Sequence, residues 1–520
     1  MIERIIEASL RNRGLVLLGT LALVAAGLWA VFDTPSDAIP DLSDVQVIIQ
    51  TDFREQAPQI VEDQVTYPIA TEMLKVPGAR VVRAYSFFGL SLVYVIFEDG
   101  TDLYWARSRV LEYLGAIRPQ LPTGVEPTLG PDATGVGWIY QYVLESDSLD
   151  LAALRTLQDW YIRYQLTAVP GVAEVASLGG FEKQYQVEVN PERLRAFDIP
   201  VTRVVSAIGD HQVDIGARVL EMGGREYMIR GLGYLGGVDD IRDVAVGATA
   251  NGTPIRVADV ANVSIGPAPR RGAADLDGEG EVVSGIVVMR FGADAYGTIR
   301  RVKQRLAEIE AGLPAGVRLR TAYDRSDLIE NAIGTLREKL LEESLIVALV
   351  VALFLFHVRS AMVVIVTLPL GILFSFLVMR GFGVSSNIMS LGGIAIAIGA
   401  MVDAAIVMVE NMHKHLERAE AEGRDPDRWE VARASAVQGG PALFFSLLII
   451  TASFLPVFAL EQQEGRLFKP LAFTKTFAMA GAALLSVTLV PVLMGALVKG
   501  KIRPESSNPV SRLLQAAYEP

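Results

Sequence analysis

The sequence predicts an α-helical membrane bundle of six transmembrane helices that carries a large α+β region on one side of the membrane. Three observations predict it. Of the 520 residues, 51% are apolar, too many for a soluble chain unless they gather in spans. Long runs almost free of charge occur once near the start and then in quick succession between residues 340 and 498. The stretch Asp33–Lys339 between them has mixed polarity and reads as alternating strands and helices.

Composition removes several function classes. A net charge of −12 argues against a nucleic-acid partner. The chain has no cysteine, so disulfides, thiolate metal sites and cysteine nucleophiles are excluded. His413 and His415 are close in sequence while His211 and His357 stand alone, which is not the spacing of a zinc site. The GxxxxGK[ST] phosphate loop is missing from the cytoplasmic segments, which disfavours an ATP-driven pump. No cofactor is expected.

The first span follows a basic start with Arg4, Arg11 and Arg13. Leu15 to Phe32 carries no charge. That run is longer than the ~7–15 residues of a cleavable signal core and close to the ~20 that a spanning helix needs, so it reads as an uncleaved first helix. The remaining spans are Leu340–Phe356, Ala361–Met379, Asn387–Val409, Pro441–Leu460 and Phe473–Val498. Pro369, Pro456 and Pro491 fall inside them as candidate kinks. With the spans alternating, the basic residues of the N-terminus, the His357–Arg359 link, the loop Asn411–Gly440 and the tail Lys499–Arg503 all fall on one side, the cytoplasm. The large region is then extracytoplasmic, and in a cell with an outer membrane the chain sits in the inner membrane with this region in the periplasm. The resulting division is a first helix at 1–33, a periplasmic pore and docking region at 34–336, helices two to six at 337–498 and a cytoplasmic segment at 499–520.

Within the outer region, Val45–Thr51 alternates like a strand, Ala57–Leu74 has helical spacing, Arg80–Ala84 and Ser91–Phe97 are strands around a turn at Phe88-Gly89, Asp102–Gln120 is a helix and Gly137–Leu144 a closing strand. This β-α-β-β-α-β order is the ferredoxin-like pattern. A second, interrupted copy runs through Leu151–Val169, Val172–Leu178, Tyr185–Val189, Val201–Gly209, Gly280–Arg290, Thr298–Leu313 and Val317–Tyr323. A β-rich docking insertion is expected near 214–262. The breaker-rich loop Gly130–Gly137 suits either an interface or a surface turn.

The fourth span carries the candidate chemistry. Asp403 lies well inside NIMSLGGIAIAIGAMVDAAIVMVEN. An ionised carboxylate in hydrocarbon costs at least ~2.5–3.5 kcal/mol, so such a residue is expected to face the bundle interior on a proton or ion path. Gly399 and Ala400 share its face and would let a neighbouring helix approach. A structural acid paired with a base is the competing role. Glu410 reads as interfacial. Met401 and Met408 share another face, about 200° from that of Asp403 at ~100° per residue. Soft sulfur ligands select Cu(I), whereas methionine is also common gap-filler in apolar helices. Lys475 is expected at the membrane interface.

Several strings, Pro40–Val47, Gly130–Trp138, Phe354–Ser360, Glu464–Phe468 and Phe473–Phe477, together with the layout of one span, a large outer region and five clustered spans, resemble the heavy-metal branch of the resistance-nodulation-division (RND) exporters along the whole chain. Divalent-metal members carry a second aspartate six residues before the equivalent of Asp403. Here that position is Ala397, as in the copper- and silver-exporting branch. The resemblance implies a proton relay at Asp403, with Met389, Met401, Met408, Met479 and Met494 as stepping sites for transported Cu(I) or Ag(I). At ~1.5 Å per residue, Met401 to Met408 rises ~10 Å and Met479 to Met494 ~22 Å, so pairing both ends needs a tilt or kink. The resemblance also implies a C-terminal half of similar layout, a homotrimer, a periplasmic membrane-fusion adaptor and an outer-membrane channel. An exporter of organic compounds or lipids, and a non-transporting scaffold or sensor, are the alternative readings.

Overall fold

The computed structural model describes residues 1–270, 272–355, 357–422 and 427–498. The expected cytoplasmic segment at 499–520 and the end of the second span at Phe356 lie outside these residues. The N-terminus forms two helices, α1 (Ile2–Arg11) and α2 (Arg13–Asp33), which break at Asn12. Ile6 of α1 is fully buried against the bundle, so the basic start is a packed amphipathic helix and only α2 is apolar throughout.

The outer region opens with β1 (Gln46–Asp52), followed by α3 (Pro58–Val61), a π-helical turn Glu62–Thr66 and α4 (Tyr67–Met73). β2 (Ala79–Phe87), β3 (Leu90–Phe97), α5 (Leu103–Ile117) and β4 (Pro127–Leu129) complete an antiparallel sheet in the order β2-β3-β1-β4. Val47 and Ile49 alternate with more exposed neighbours along β1 and meet Ile69, Met73, Val110 and Leu114 from the helices in one core, as period-2 and period-3.6 patterns require. Asp102 accepts a hydrogen bond from Trp105 N at 2.7 Å and so starts α5.

The second sheet is β14-β5-β13-β6. It contains β5 (Trp138–Ser146), β6 (Val172–Leu178), β13 (Val283–Met289) and β14 (Val317–Asp324). The segment Gly137–Leu144, expected to close the first sheet, is therefore the opening strand of the second, and Pro127–Leu129 closes the first. Local alternation gives no sign of which sheet a strand joins. The register does: β13 pairs with both β5 and β6, and Gly285 stands where a Cβ would meet the Tyr142 ring at 2.2 Å. Tyr142 fills that space and donates to Gln158 at 2.9 Å. α6 (Leu151–Leu157), a π-helical turn Gln158–Ile162, α7 (Arg163–Thr167) and α12 (Ala295–Glu310) cover one face.

Between β6 and β13 the chain builds a separate body larger than the expected 214–262. It begins at β7 (Lys183–Val189), which pairs with β12 (Ala261–Pro267) and not with the second sheet. Inside lie α8 (Pro191–Ala196), α9 (Val201–His211), the hairpin β8 (Ile215–Met222) and β9 (Arg225–Gly231), α10 (Val238–Asp243), β10 (Ala245–Ala248), β11 (Pro254–Arg256) and α11 (Val257–Val260). Its own core includes Leu194, Val204, Val246, Val257 and Val263.

The bundle continues with α13 (Arg325–Leu355), α14 (Val358–Phe382), α15 (Ile388–Ala421), α16 (Arg428–Ala452) and α17 (Gln462–Leu497). Among the described residues, five helices are long and apolar enough to cross a membrane: those at Arg13–Asp33, Arg359–Phe382, Ile388–Glu420, Arg428–Ala459 and Gln462–Leu497. Most of the segment Asn411–Gly440, expected as a loop, is helix, because Glu, Lys, Arg and Ala sustain a helix past the apolar stretch. Pro456 is not within a helix but in a short 3-10 turn, Leu455–Ala459. α17 packs against α14, α15 and α16. Small residues permit this: a Cβ at Gly393 would stand 2.4 Å from Leu471 O, and one at Gly481 2.6 Å from the Phe374 ring.

Candidate functional site

α15 is started by Asn387, whose side chain accepts from Met389 N at 3.1 Å and Ser390 N at 3.0 Å, while Ser390 Oγ accepts from Asn387 N at 2.7 Å. This reciprocal cap fixes the helix that holds Asp403. Along α15, Met401, Val402, Ala404 and Ala405 are buried, and Asp403 is exposed. It belongs to a stripe with Ile396, Gly399 and Val407, spaced three and four residues apart, and Ile396 is 54% exposed. The expected interior position of Asp403 is thus corrected: within this chain its face looks outward. The reason is packing, since α13, α14, α16 and α17 occupy the other sides of α15. Among the described residues Asp403 has no hydrogen bond or ion pair. Glu410 shares the stripe and pairs with Lys414 at 2.6 Å.

The methionines lie on the opposite side. Met401, Met408, Met479 and Met494 are all buried in one apolar cluster with Ile394, Ala397 and Val490. Met389 is half-buried at the start of α15. Met401 and Met408 do not face one neighbour. Met401 Sδ sits 2.7 Å from where a Cβ at Gly371 of α14 would stand, and Met408 Sδ lies 3.8 Å from the corresponding point at Gly439 of α16. Spacing by seven puts both on one broad face, but neighbouring helices divide that face between them.

Lys475, expected at the interface, is instead 9% exposed, with Nζ 3.3 Å from the centroid of the Phe454 ring. No carboxylate pairs with it among the described residues. A cation over an aromatic face recovers part of its lost hydration.

Three further arrangements tie the elements together, and of these the sequence reading named only the loop of the third. The first is a clasp at residues 35–38. Asp37 N donates to Ser386 O at 3.0 Å, Ser386 N to Pro35 O at 2.9 Å and Ile388 N to Ala38 O at 3.1 Å, which ties this linker to the start of α15. The same linker reaches the outer region: Ser36 N donates to Asp294 Oδ1 at 3.1 Å, Tyr296 N to Ser36 O at 3.2 Å, and Arg325 Nη1 to Asp37 Oδ1 at 3.3 Å. Burial raises the Asp37 carboxyl above its ordinary range even though Arg325 draws it down.

The second joins two strings that are far apart in sequence. Arg466 of α17 donates to Leu42 O at 3.0 Å and Asp44 Oδ1 at 3.1 Å, and also binds Asp99. Glu464–Phe468 therefore docks on Pro40–Val47. The third is the Gly130–Gly137 loop, which lies between the two sheets. Arg107 and Tyr104 of α5 bond Gly130 O at 2.9 Å and Asp132 at 3.0 Å, Arg290 pairs with Asp132 at 3.0 Å, and Arg325 Nη2 donates to Val136 O at 2.6 Å. Its interface reading is the one its contacts support. Breaker residues and charged neighbours were the only local signals.

The AcrB/AcrD/AcrF family model matches residues 5–520. The chain belongs to this family. It is 56% identical over 529 residues to the cation efflux system protein CusA of Escherichia coli (strain K12), covering all of this chain and 50% of that protein. It is 54% identical over 529 residues to the putative cation efflux system protein SilA of Salmonella typhimurium, with the same coverage. It is 38% identical over 533 residues to the cobalt-zinc-cadmium resistance protein CzcA of Cupriavidus metallidurans, again covering all of this chain and 50% of that protein. A crystal structure of a heavy metal efflux pump superposes with a TM-score of 0.83 at 32% identity, covering 95% of this chain and 48% of that one. The chain spans about half the length of the curated relatives it matches.

Proposed function

We propose that the chain is the N-terminal half of a proton-driven RND efflux pump of the inner membrane that exports Cu(I) or Ag(I), with six spans and with its two outer sheets acting as ferredoxin-like units in the periplasm. The observation that carries this reading is Asp403 on the outward stripe of α15. A carboxylate there is costly against lipid and gains a reason once a second half, with its own charged groups, covers that stripe. The relatives' half-length match supports such a partner. On the family resemblance, the completed pump works as a homotrimer with a periplasmic adaptor and an outer-membrane channel.

Protonation of Asp403 removes its charge and changes how well its face fits the covering half. α15 then shifts, and the clasp at 35–38 carries that shift to Asp294 at the head of α12 and to Arg325 at the head of α13. The outer cleft opens or closes in step. Ala397 supports a monovalent cargo. It is fully buried, so an additional carboxylate at that position would need a partner inside the apolar core. Met389, Met401, Met408, Met479 and Met494 are the proposed thioether contacts for the metal, with Met401 and Met408 reached through different helix interfaces.

The test is metal resistance in a host lacking its own copper and silver exporters, with the second half supplied. The native protein is expected to confer tolerance of copper and silver, and Asp403→Asn to abolish it at equal protein level. Wild-type tolerance in Asp403→Asn sinks the relay. Protection against dyes or detergents, but not against these metals, assigns the pump to organic cargo.

A further inference from the structure

Ser360 stands in the first turn of α14, fully buried. Many hydroxyls in this chain turn back on their own helix, as Thr20, Thr71, Ser108 and Thr488 do, each bonding the carbonyl four residues before it. Ser360 Oγ turns to two imidazole rings. It lies 2.8 Å from His357 Nδ1 and 2.7 Å from His413 Nε2. The two rings meet edge to face, with centroids 5.6 Å apart. His413 is 7% exposed on α15, ten residues beyond Asp403, and His357 is half-buried at the end of the preceding link.

We infer that His357, Ser360 and His413 form a proton-transfer site on the cytoplasmic side of Asp403. This rests on the proton-driven reading above.

Hydrogen counting carries the argument. A serine hydroxyl has one proton to donate. If it serves one ring nitrogen, the other nitrogen must bear a proton and donate to the oxygen. Two arrangements satisfy both contacts. In one, His413 Nε2–H donates to Ser360, whose O–H donates to His357 Nδ1, and both rings are Nε2–H. In the other, His357 Nδ1–H donates to Ser360, whose O–H donates to His413 Nε2, and both rings are Nδ1–H.

Passage of one proton converts the first into the second. His413 gains a proton at Nδ1 and breaks its Nε2–H bond in favour of Ser360 Oγ. The original Ser360 O–H proton forms a bond with His357 Nδ1, and His357 gives up its Nε2 proton toward the cytoplasmic side. Loss of the Nδ1 proton and gain of one at Nε2 by each ring restores the first arrangement and resets the site. Around it, Glu410 and Lys414 of α15 pair with each other, and Arg359 is exposed beside Ser360 on α14. The link between α13 and α14 places His357 on the cytoplasmic side, as the distribution of basic residues directs.

The experiment measures proton flux by the assembled pump in proteoliposomes that enclose a pH-sensitive dye, with Ag(I) as the driving cargo. Ser360→Ala is expected to slow the flux by about 100-fold, the lower end of what a positioned proton-transfer group contributes. Ser360→Thr, which keeps a hydroxyl, should recover flux relative to Ser360→Ala. Native flux in Ser360→Ala, or equal loss in both variants, overturns the relay. Asp403→Asn is run beside them, and native flux in that variant defeats the Asp403 reading and leaves the Ser360 comparison standing. If the serine variants fail to assemble, 15N spectra of histidine-labelled native protein in bilayers decide. His357 and His413 must share one tautomer, and opposite tautomers overturn the proposal.

Discussion

Arg325 and Asp37 are 288 residues apart in sequence and meet at 3.3 Å where the outer region enters the bundle. Their side chains are 8% and 18% exposed. Arg325 also donates to Val136 O, so one guanidinium joins the head of α13, the linker after α2 and the loop between the two sheets. Removing it leaves the Asp37 carboxyl buried without its charge partner. Arg325→Ala is therefore expected to destabilise the chain by about 3 kcal/mol. Chemical unfolding in detergent measures this, and Asp37→Ala combined with Arg325→Ala should cost less than the sum of the two single changes.

Met401 separates packing from cargo contact. Met401→Leu conserves volume and should cost less than ~1.5 kcal/mol of stability. If the thioether touches the metal, silver tolerance falls while the melting temperature barely moves. Unchanged tolerance would make Met401 a filler over Gly371. Gly371→Val, by contrast, drives a side chain into Met401 Sδ and should destabilise by ~1–3 kcal/mol whatever the cargo.

Arg466 holds a carbonyl and two carboxylates at once, through a planar fork of donors. A lysine ammonium cannot span the same three groups. Arg466→Lys is expected to behave like Arg466→Ala, with about 1–2 kcal/mol lost because the aspartates are partly solvated. Faster proteolysis at the 40–45 linker checks it, and native protection in Arg466→Lys would count against the bridging role.

Acid should loosen the junction between β14 and α13. Burial alone would raise the Asp324 carboxyl, but hydrogen bonds from Lys303 and Ser326 outweigh it and hold the group below the ordinary range. Its folded pKa is lower than its unfolded value of ~3.9. The stabilisation is thus present above that value and is lost as pH falls through the folded pKa. Thermal unfolding followed from about pH 7 down to about pH 3 should show this loss, and Asp324→Asn should flatten it.

The apolar runs made the bundle helices legible, because a helix that must bury or cross hydrocarbon declares itself residue by residue. Asp403 was visible for the same reason, as a charge in the wrong solvent. The alternation of Val47 and Ile49 marked β1. Helix ends were less legible: Glu417, Arg418 and Arg428 looked like loop and proved helical, since polar residues sustain helices outside the apolar zone.

What local pattern determined, then, was which segments are helix, strand or span, together with the one carboxylate that needs an explanation. Tertiary structure alone decided that β5 opens the second sheet, that Asp403 looks away from its own bundle, that Arg466 reaches Asp44, and that Ser360 joins two histidines. These depend on which distant segments close against one another. Periodicity along the chain records which face of an element is apolar, and it carries no record of what comes to cover that face.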